Sequence, residues 1–155
     1  VLRDEVEKLM QIPIFASIKP TRLKLLAFGS RRLTFGSEQI ICRQGDPADA
    51  VFVILLGTAV VVVDTPAGEI KVTDVGETDV VGEIGVLCGV ARTATIRTTS
   101  AVEVLRIDRE QFLSLAAESP EMASQIMCIL ASRLEETTTE LVALRAMALA
   151  AQMPN

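Results

Sequence analysis

Between Ser30 and Asp108 the chain breaks into eight short runs rich in β-branched residues, and this rhythm constrains the fold more than any other feature. The runs are SRRLTF, QIICR, VFVILL, TAVVVVD, EIKVTDV, DVV, TATIRTT and AVEVLRID. Val, Ile and Thr suit a pleated, half-buried surface. Turn chemistry separates the runs: QGDPAD, the lone Gly57, TPAG and the glycine-rich stretch at Gly82. Such spacing predicts a mainly β chain with flanking α, built on an antiparallel β-roll, a jelly-roll-like barrel of about eight strands. Val51 to Val63 reads as two strands hinged at Gly57, as at a sharp bend.

Helical texture flanks this region. LRDEVEKLMQIPIF predicts a short helix with Leu2, Val6 and Leu9 on one face, stopped at Pro13 because the proline ring clashes with a continuing turn. Pro20 and Thr21 open a second short helix that ends at Gly29. After Asp108, REQFLSLAAES predicts a helix closing before Pro120. A longer one follows from Pro120 to about Leu149, roughly 40 Å at 1.5 Å per residue. In it Met127, Leu134, Leu141 and Ala148 recur every seven residues, with Leu130, Thr137, Leu144 and Ala151 between them. The first turns of this seam are expected to pack on the barrel. Beyond Glu135 the helix is expected to project, which predicts a homodimer through the C-terminal helix. AQMPN reads as disordered. The predicted organisation is a single domain over 1–155: N-terminal helices 1–29, β-roll 30–108 and C-terminal helices 109–155.

What the chain lacks excludes several functions. It has no histidine, so Ser-His-Asp and Cys-His nucleophile systems and imidazole metal sites are ruled out. An enzyme on a similar barrel, such as a cupin, would need those histidines, and the chain is read as not an enzyme, without metal or cofactor. Cys42, Cys88 and Cys128 are scattered, form no CxxC pair and suit a reducing, cytoplasmic setting as small hydrophobes. A formal net charge of −5 argues against direct nucleic-acid contact, since Arg31-Arg32 is the one adjacent basic pair. No apolar stretch approaches the ~20 residues of a membrane span. The start at Val1, with acidic residues close behind, is not a signal peptide, and without an initiator Met the chain reads as excised from something longer.

Inside this aliphatic background, VVGEIGVLCGVARTATI (80–96) carries two formal charges, Glu83 and Arg92. GEIGVL can form one short helical turn whose first N–H groups favour an anion. Gly82 and Gly85 would let a ligand approach the backbone. Arg92, nine residues after Glu83, can return to the same place with a planar fork suited to two phosphate oxygens. Ionised Glu83 can accept a hydrogen bond from a sugar hydroxyl. A nucleotide with one compact charge fits this set. An internal Glu83–Arg92 salt bridge is the competing reading, although a buried pair is a poor source of stability.

GEIGVLCGVARTAT resembles the phosphate-binding cassette of the cyclic nucleotide-binding domain family. Gly82, Glu83, Ile84, Gly85 and Arg92 match the family pattern, and Thr93-Ala94 supplies its small pair. IPIFASIKPTRLKLLA is similar to the family's helical lead-in. ICRQGDPADAVFVILLGTAVVV is similar to its glycine-marked strands, with Gly45 and Gly57 in place. VEVLRIDREQFLSLAAESPEMASQI is similar to its last strand and C-terminal helices. The resemblance implies that Arg92 grips a cyclic phosphate, that Glu83 accepts the ribose 2′-hydroxyl, and that Gly82, Ile84 and Thr93 line phosphate and sugar. If Arg92 serves the ligand in this way, its removal is expected to spare the fold. Val81 and Ala91 depart from the Phe and Pro common there, which lightens packing and loosens the loop.

Thr93 can bond a guanine amino group if the base rotates over the sugar, but cyclic-AMP-preferring members carry Thr too, and cyclic AMP is expected over cyclic GMP. The resemblance further implies a regulatory binding module whose C-terminal helix, around Met127 to Leu134, moves over the base, with Leu130, Arg133 and Leu134 as candidate caps. A degenerate roll serving only as an interaction or dimerisation module is the alternative.

Overall fold

The computed structural model describes residues 2–154. The disorder expected at Asn155 and the place expected for the Leu2 side chain lie outside what is described.

A short helix α1 (Leu2–Met10) leads to a 3₁₀ turn over Pro13–Phe15, then α2 (Pro20–Gly29). Pro13 therefore opens a turn as well as barring the helix before it. Eight strands follow among the described residues: β1 (Arg31–Phe35), β2 (Ile40–Cys42), β3 (Ala50–Leu56), β4 (Ala59–Thr65), β5 (Gly68–Val75), β6 (Val80–Val81), β7 (Thr95–Thr98) and β8 (Val102–Asp108). Helix α3 (Glu83–Cys88) sits between β6 and β7, and α4 (Arg109–Glu118) and α5 (Pro120–Gln152) follow β8.

The strands form two four-stranded antiparallel sheets, ordered β1-β8-β3-β6 and β2-β7-β4-β5, and neither closes on itself. The expected mainly β barrel is thus corrected on two counts. Roughly half of the described residues are helical, because α5 alone holds 33 of them. The sheets also stay open: β1 and β6 bound one, β2 and β5 the other. Alternation within a run shows which side chains point inward but not whether the outermost strands meet, and two-residue β6 is too short to extend a ladder to a further strand.

Continuous burial of Ala50–Leu55 follows from the position of β3 between two cores. Val51, Val53 and Leu55 face the helices, packed with Phe15, Leu23, Phe112 and Met122. Ala50, Phe52 and Ile54 face the other sheet, with Ile96, Val102 and Val104. Each such aliphatic or aromatic side chain contributes about 1.5–3 kcal/mol by leaving water. Gly57 carries the chain from the first sheet to the second at φ 91°, where a Cβ would strike the Ala101 carbonyl.

Helix α5 starts on Ser119, whose Oγ accepts from the Met122 N–H, with Pro120 at its first position. Only Met122 and Ile126 on it are buried, and every residue from Ala131 to Pro154 is exposed. The helix continues through Ala151 and Gln152, where the sequence suggests disorder.

Candidate functional site

Arg92 lies in the irregular segment before β7, and its backbone is held on both sides. Its N–H donates to the Asp46 carbonyl at 2.8 Å, and its carbonyl accepts from the Gly45 N–H at 2.8 Å. The glycine-marked turn after β2, with Gly45 at φ 89°, thus fixes where Arg92 enters the interior. The side chain is 5% exposed. Nη1 donates to the Gly82 carbonyl at 2.9 Å and Nη2 to the Ala50 carbonyl at 2.6 Å. The guanidinium carbon stands 5.5 Å from the centre of the Phe52 ring, within cation–π range. Asp49 approaches Nη2 at 3.7 Å and also pairs with Arg106 at 3.1 Å. These two carbonyl bonds use two of the five N–H groups that a guanidinium carries.

Glu83 opens α3 directly after Gly82, which takes φ 82°. A Cβ at Gly82 would collide with Arg92 Nη1, so close approach to the arginine and a left-handed backbone both require glycine there. Gly85 serves packing: a Cβ on it would overlap the Ala48 side chain, so α3 lies tight against the 45–49 turn. No side chain caps the first turn of α3.

Glu83 and Arg92 do not pair with each other. Glu83 Oε1 instead accepts from Nη1 of Arg133, which reaches down from α5. The salt-bridge alternative left open by the sequence is therefore not the arrangement present. Arg92 spans two strand-end carbonyls, which also gives it a part in holding the frame together.

Gly82, Glu83, Ile84, Arg92 and Thr93 all line one cavity of about 500 Å³, within the range of small-molecule sites. Its outer wall is β5, through Val72, Thr73 and Asp74, and its far wall is α5, through Arg133, Glu136, Thr137 and Glu140. Of the three caps considered, Arg133 reaches this space; Leu134 is exposed and Leu130 packs against the helical core. The contacts of Ala50, Phe52 and Glu136 were not read from sequence. Glu136 and Glu140 stand three and seven residues beyond Arg133, the spacing of one helix face, and that was the available signal.

Cys42, at the end of β2, also lines the cavity, and burial pushes its thiol upward while the charge of Arg92 partly offsets this. Among the described residues no group of three or more His, Cys, Asp and Glu could hold a metal ion. No helix among them is long and apolar enough to cross a membrane.

The chain is 27% identical over 136 residues to the CRP-like cAMP-activated global transcriptional regulator of Mycobacterium tuberculosis, covering 87% of this chain and 61% of that protein. It is 31% identical over 121 residues to lysophospholipase nte1 of Aspergillus fumigatus, covering 77% of this chain and 8% of that one. The chain thus spans less than two thirds of either relative. Among solved structures it resembles the catabolite activator protein of Thermus thermophilus, with a TM-score of 0.76 and 26% identity over 86% of this chain and 63% of that one. Residues 32–119, more than half of the chain, match the model of the cyclic nucleotide-binding domain. With an arginine and a glutamate converging on one cavity beneath a long helix, the chain belongs to the cyclic nucleotide-binding domain family, which supports a ligand-sensing regulatory role.

Proposed function

We propose that residues 1–155 form a single sensor domain that binds a cyclic nucleotide in the cavity below α5 and passes its occupancy on through that helix. Arg92 grips the cyclic phosphate with the N–H groups left over from Ala50 and Gly82. Glu83 accepts the ribose 2′-hydroxyl on Oε2, the oxygen not engaged by Arg133. Gly82, Ile84 and Thr93 line phosphate and sugar. The observation that carries the reading is a buried guanidinium with uncommitted donors facing a cavity of about 500 Å³ that it shares with Glu83.

Cyclic AMP is the preferred ligand over cyclic GMP, in keeping with the cAMP-activated regulator among the relatives. Coupling needs a ligand that favours one helix position over another by differential contact. The Arg133–Glu83 pair supplies that contact, because it joins the hydroxyl acceptor to α5. Met127, Leu134, Leu141 and Leu144 leave an exposed apolar seam on α5, and we assign it to a second copy of the chain. The domain works in the cytoplasm and touches no nucleic acid itself.

Thermal melting with cyclic AMP, cyclic GMP and linear AMP at equal concentration tests this. A cyclic nucleotide at a hundredfold excess over its Kd stabilises by about 2.7 kcal/mol, several degrees for a domain this size. Glu83→Gln should weaken cyclic AMP more than its 2′-deoxy analogue. No shift from either cyclic nucleotide would refute the sensor reading, and equal losses for the two analogues would remove the ribose role from Glu83.

A further inference from the structure

The charges around the cavity are unequal. Its lining includes five carboxylates, Asp74, Asp79, Glu83, Glu136 and Glu140, against two cations, Arg92 and Arg133. Three of the carboxylates are engaged: Glu83 by Arg133, Asp74 by Lys71 at 2.8 Å, and Asp79 by the Gly76 N–H at 2.8 Å. Glu136 and Glu140 have no ion-pair partner among the described residues, and both are exposed on the α5 wall of the cavity.

We propose that Glu136 and Glu140 are specificity-determining residues that form a charge filter on the α5 wall of the cavity, admitting nucleotides with one negative charge and rejecting those with more. The inference rests on the sensor reading given above. Repulsion from two fixed carboxylates grows in proportion to the charge on the incoming ligand. A cyclic phosphodiester carries one charge, which Arg92 can match. A linear monophosphate carries nearly two at pH 8, since its second ionisation lies near pH 6. A triphosphate carries more. The surplus charge meets no further unpaired cation on the wall and is met by the two glutamates. The filter therefore sorts by charge number, and it adds to whatever the shape of the cavity contributes. Because both carboxylates are exposed, salt must weaken the discrimination.

The test is displacement of bound cyclic AMP by AMP and by ATP at pH 8, at low and high salt. Wild type is compared with a Glu136→Gln/Glu140→Gln variant and with Glu110→Gln, an exposed neutralisation on α4. Glutamine keeps the side-chain length and nearly the same helix propensity. Exposed charge pairs are worth a factor of a few each. The double variant should therefore gain roughly two- to tenfold more affinity for AMP than for cyclic AMP, more again for ATP, and lose that gain at high salt. Glu110→Gln should leave the ratio at the wild-type value. An unchanged ratio in the double variant, or no displacement from either protein, overturns the filter while direct cyclic AMP binding leaves the sensor reading standing. A wild type that binds no cyclic nucleotide overturns both.

Discussion

Replacing Arg92 by Ala removes two interactions of different kinds, and separate assays read them. Without ligand, the loss falls on the frame: a buried charge-assisted bond to the Ala50 carbonyl at 2.6 Å and the contact over Phe52. The first is worth about 1.5–3 kcal/mol and the second about 0.5–2 kcal/mol. The variant no longer bears the cost of desolvating the guanidinium on folding, which returns part of this. A net cost of about 1–3 kcal/mol remains, which lowers Tm by about 3–10 °C for a chain of this length. With ligand present, loss of the phosphate grip costs a further ten- to hundredfold in Kd, the equivalent of about 1.5–3 kcal/mol. Scanning calorimetry of the unliganded protein measures the first effect and titration calorimetry with cyclic AMP the second. Arg92→Lys keeps the charge but cannot reach both carbonyls, so it should recover some affinity and little of the melting loss. An unliganded Arg92→Ala protein melting within about 1 °C of wild type would show that the carbonyl bridge contributes nothing.

Two further perturbations follow from the same geometry. Gly82→Ala forces an L side chain into φ 82° and against Arg92, so stability should fall by about 1–2 kcal/mol or more, with weaker cyclic nucleotide binding; calorimetry with and without ligand checks both. Cys88 and Cys128 are exposed, whereas Cys42 is partly buried with its thiol pushed up, so less of Cys42 is thiolate at any given pH. Alkylation followed by mass spectrometry should label Cys88 and Cys128 first. Labelling of Cys42 should speed up as pH rises, and cyclic AMP should slow Cys42 alone, because it lines the cavity.

The strands and the residues that line the cavity were legible for a local reason. β-branched runs and their turns declare strands residue by residue, and Glu83 and Arg92 stand out because nothing else between Val80 and Ile96 is charged. Openness of the sheets was not legible, since it depends on whether β1 and β6, or β2 and β5, find a further partner across space. The second role of Arg92 was hidden because its acceptors are backbone carbonyls at Ala50 and Gly82, and carbonyls carry no sequence signature. The Arg133–Glu83 pair joins positions fifty residues apart, beyond the reach of any pattern read along the chain. Gly85 has a second duty that the sequence hid: it lines the cavity, and its missing Cβ also leaves room for the Ala48 side chain.

Helix α5 is held in the core by Met122 and Ile126 and touches the cavity between Arg133 and Glu140, while its tip lies at Gln152. At 1.5 Å per residue the cavity contact is about 16 Å from the anchor and the tip about 39 Å. As a stiff lever pivoting at Ile126, it would multiply any sideways shift roughly 2.5-fold along its length. Under the proposed coupling, about half an ångström gained or lost at the nucleotide would become more than an ångström at the far end.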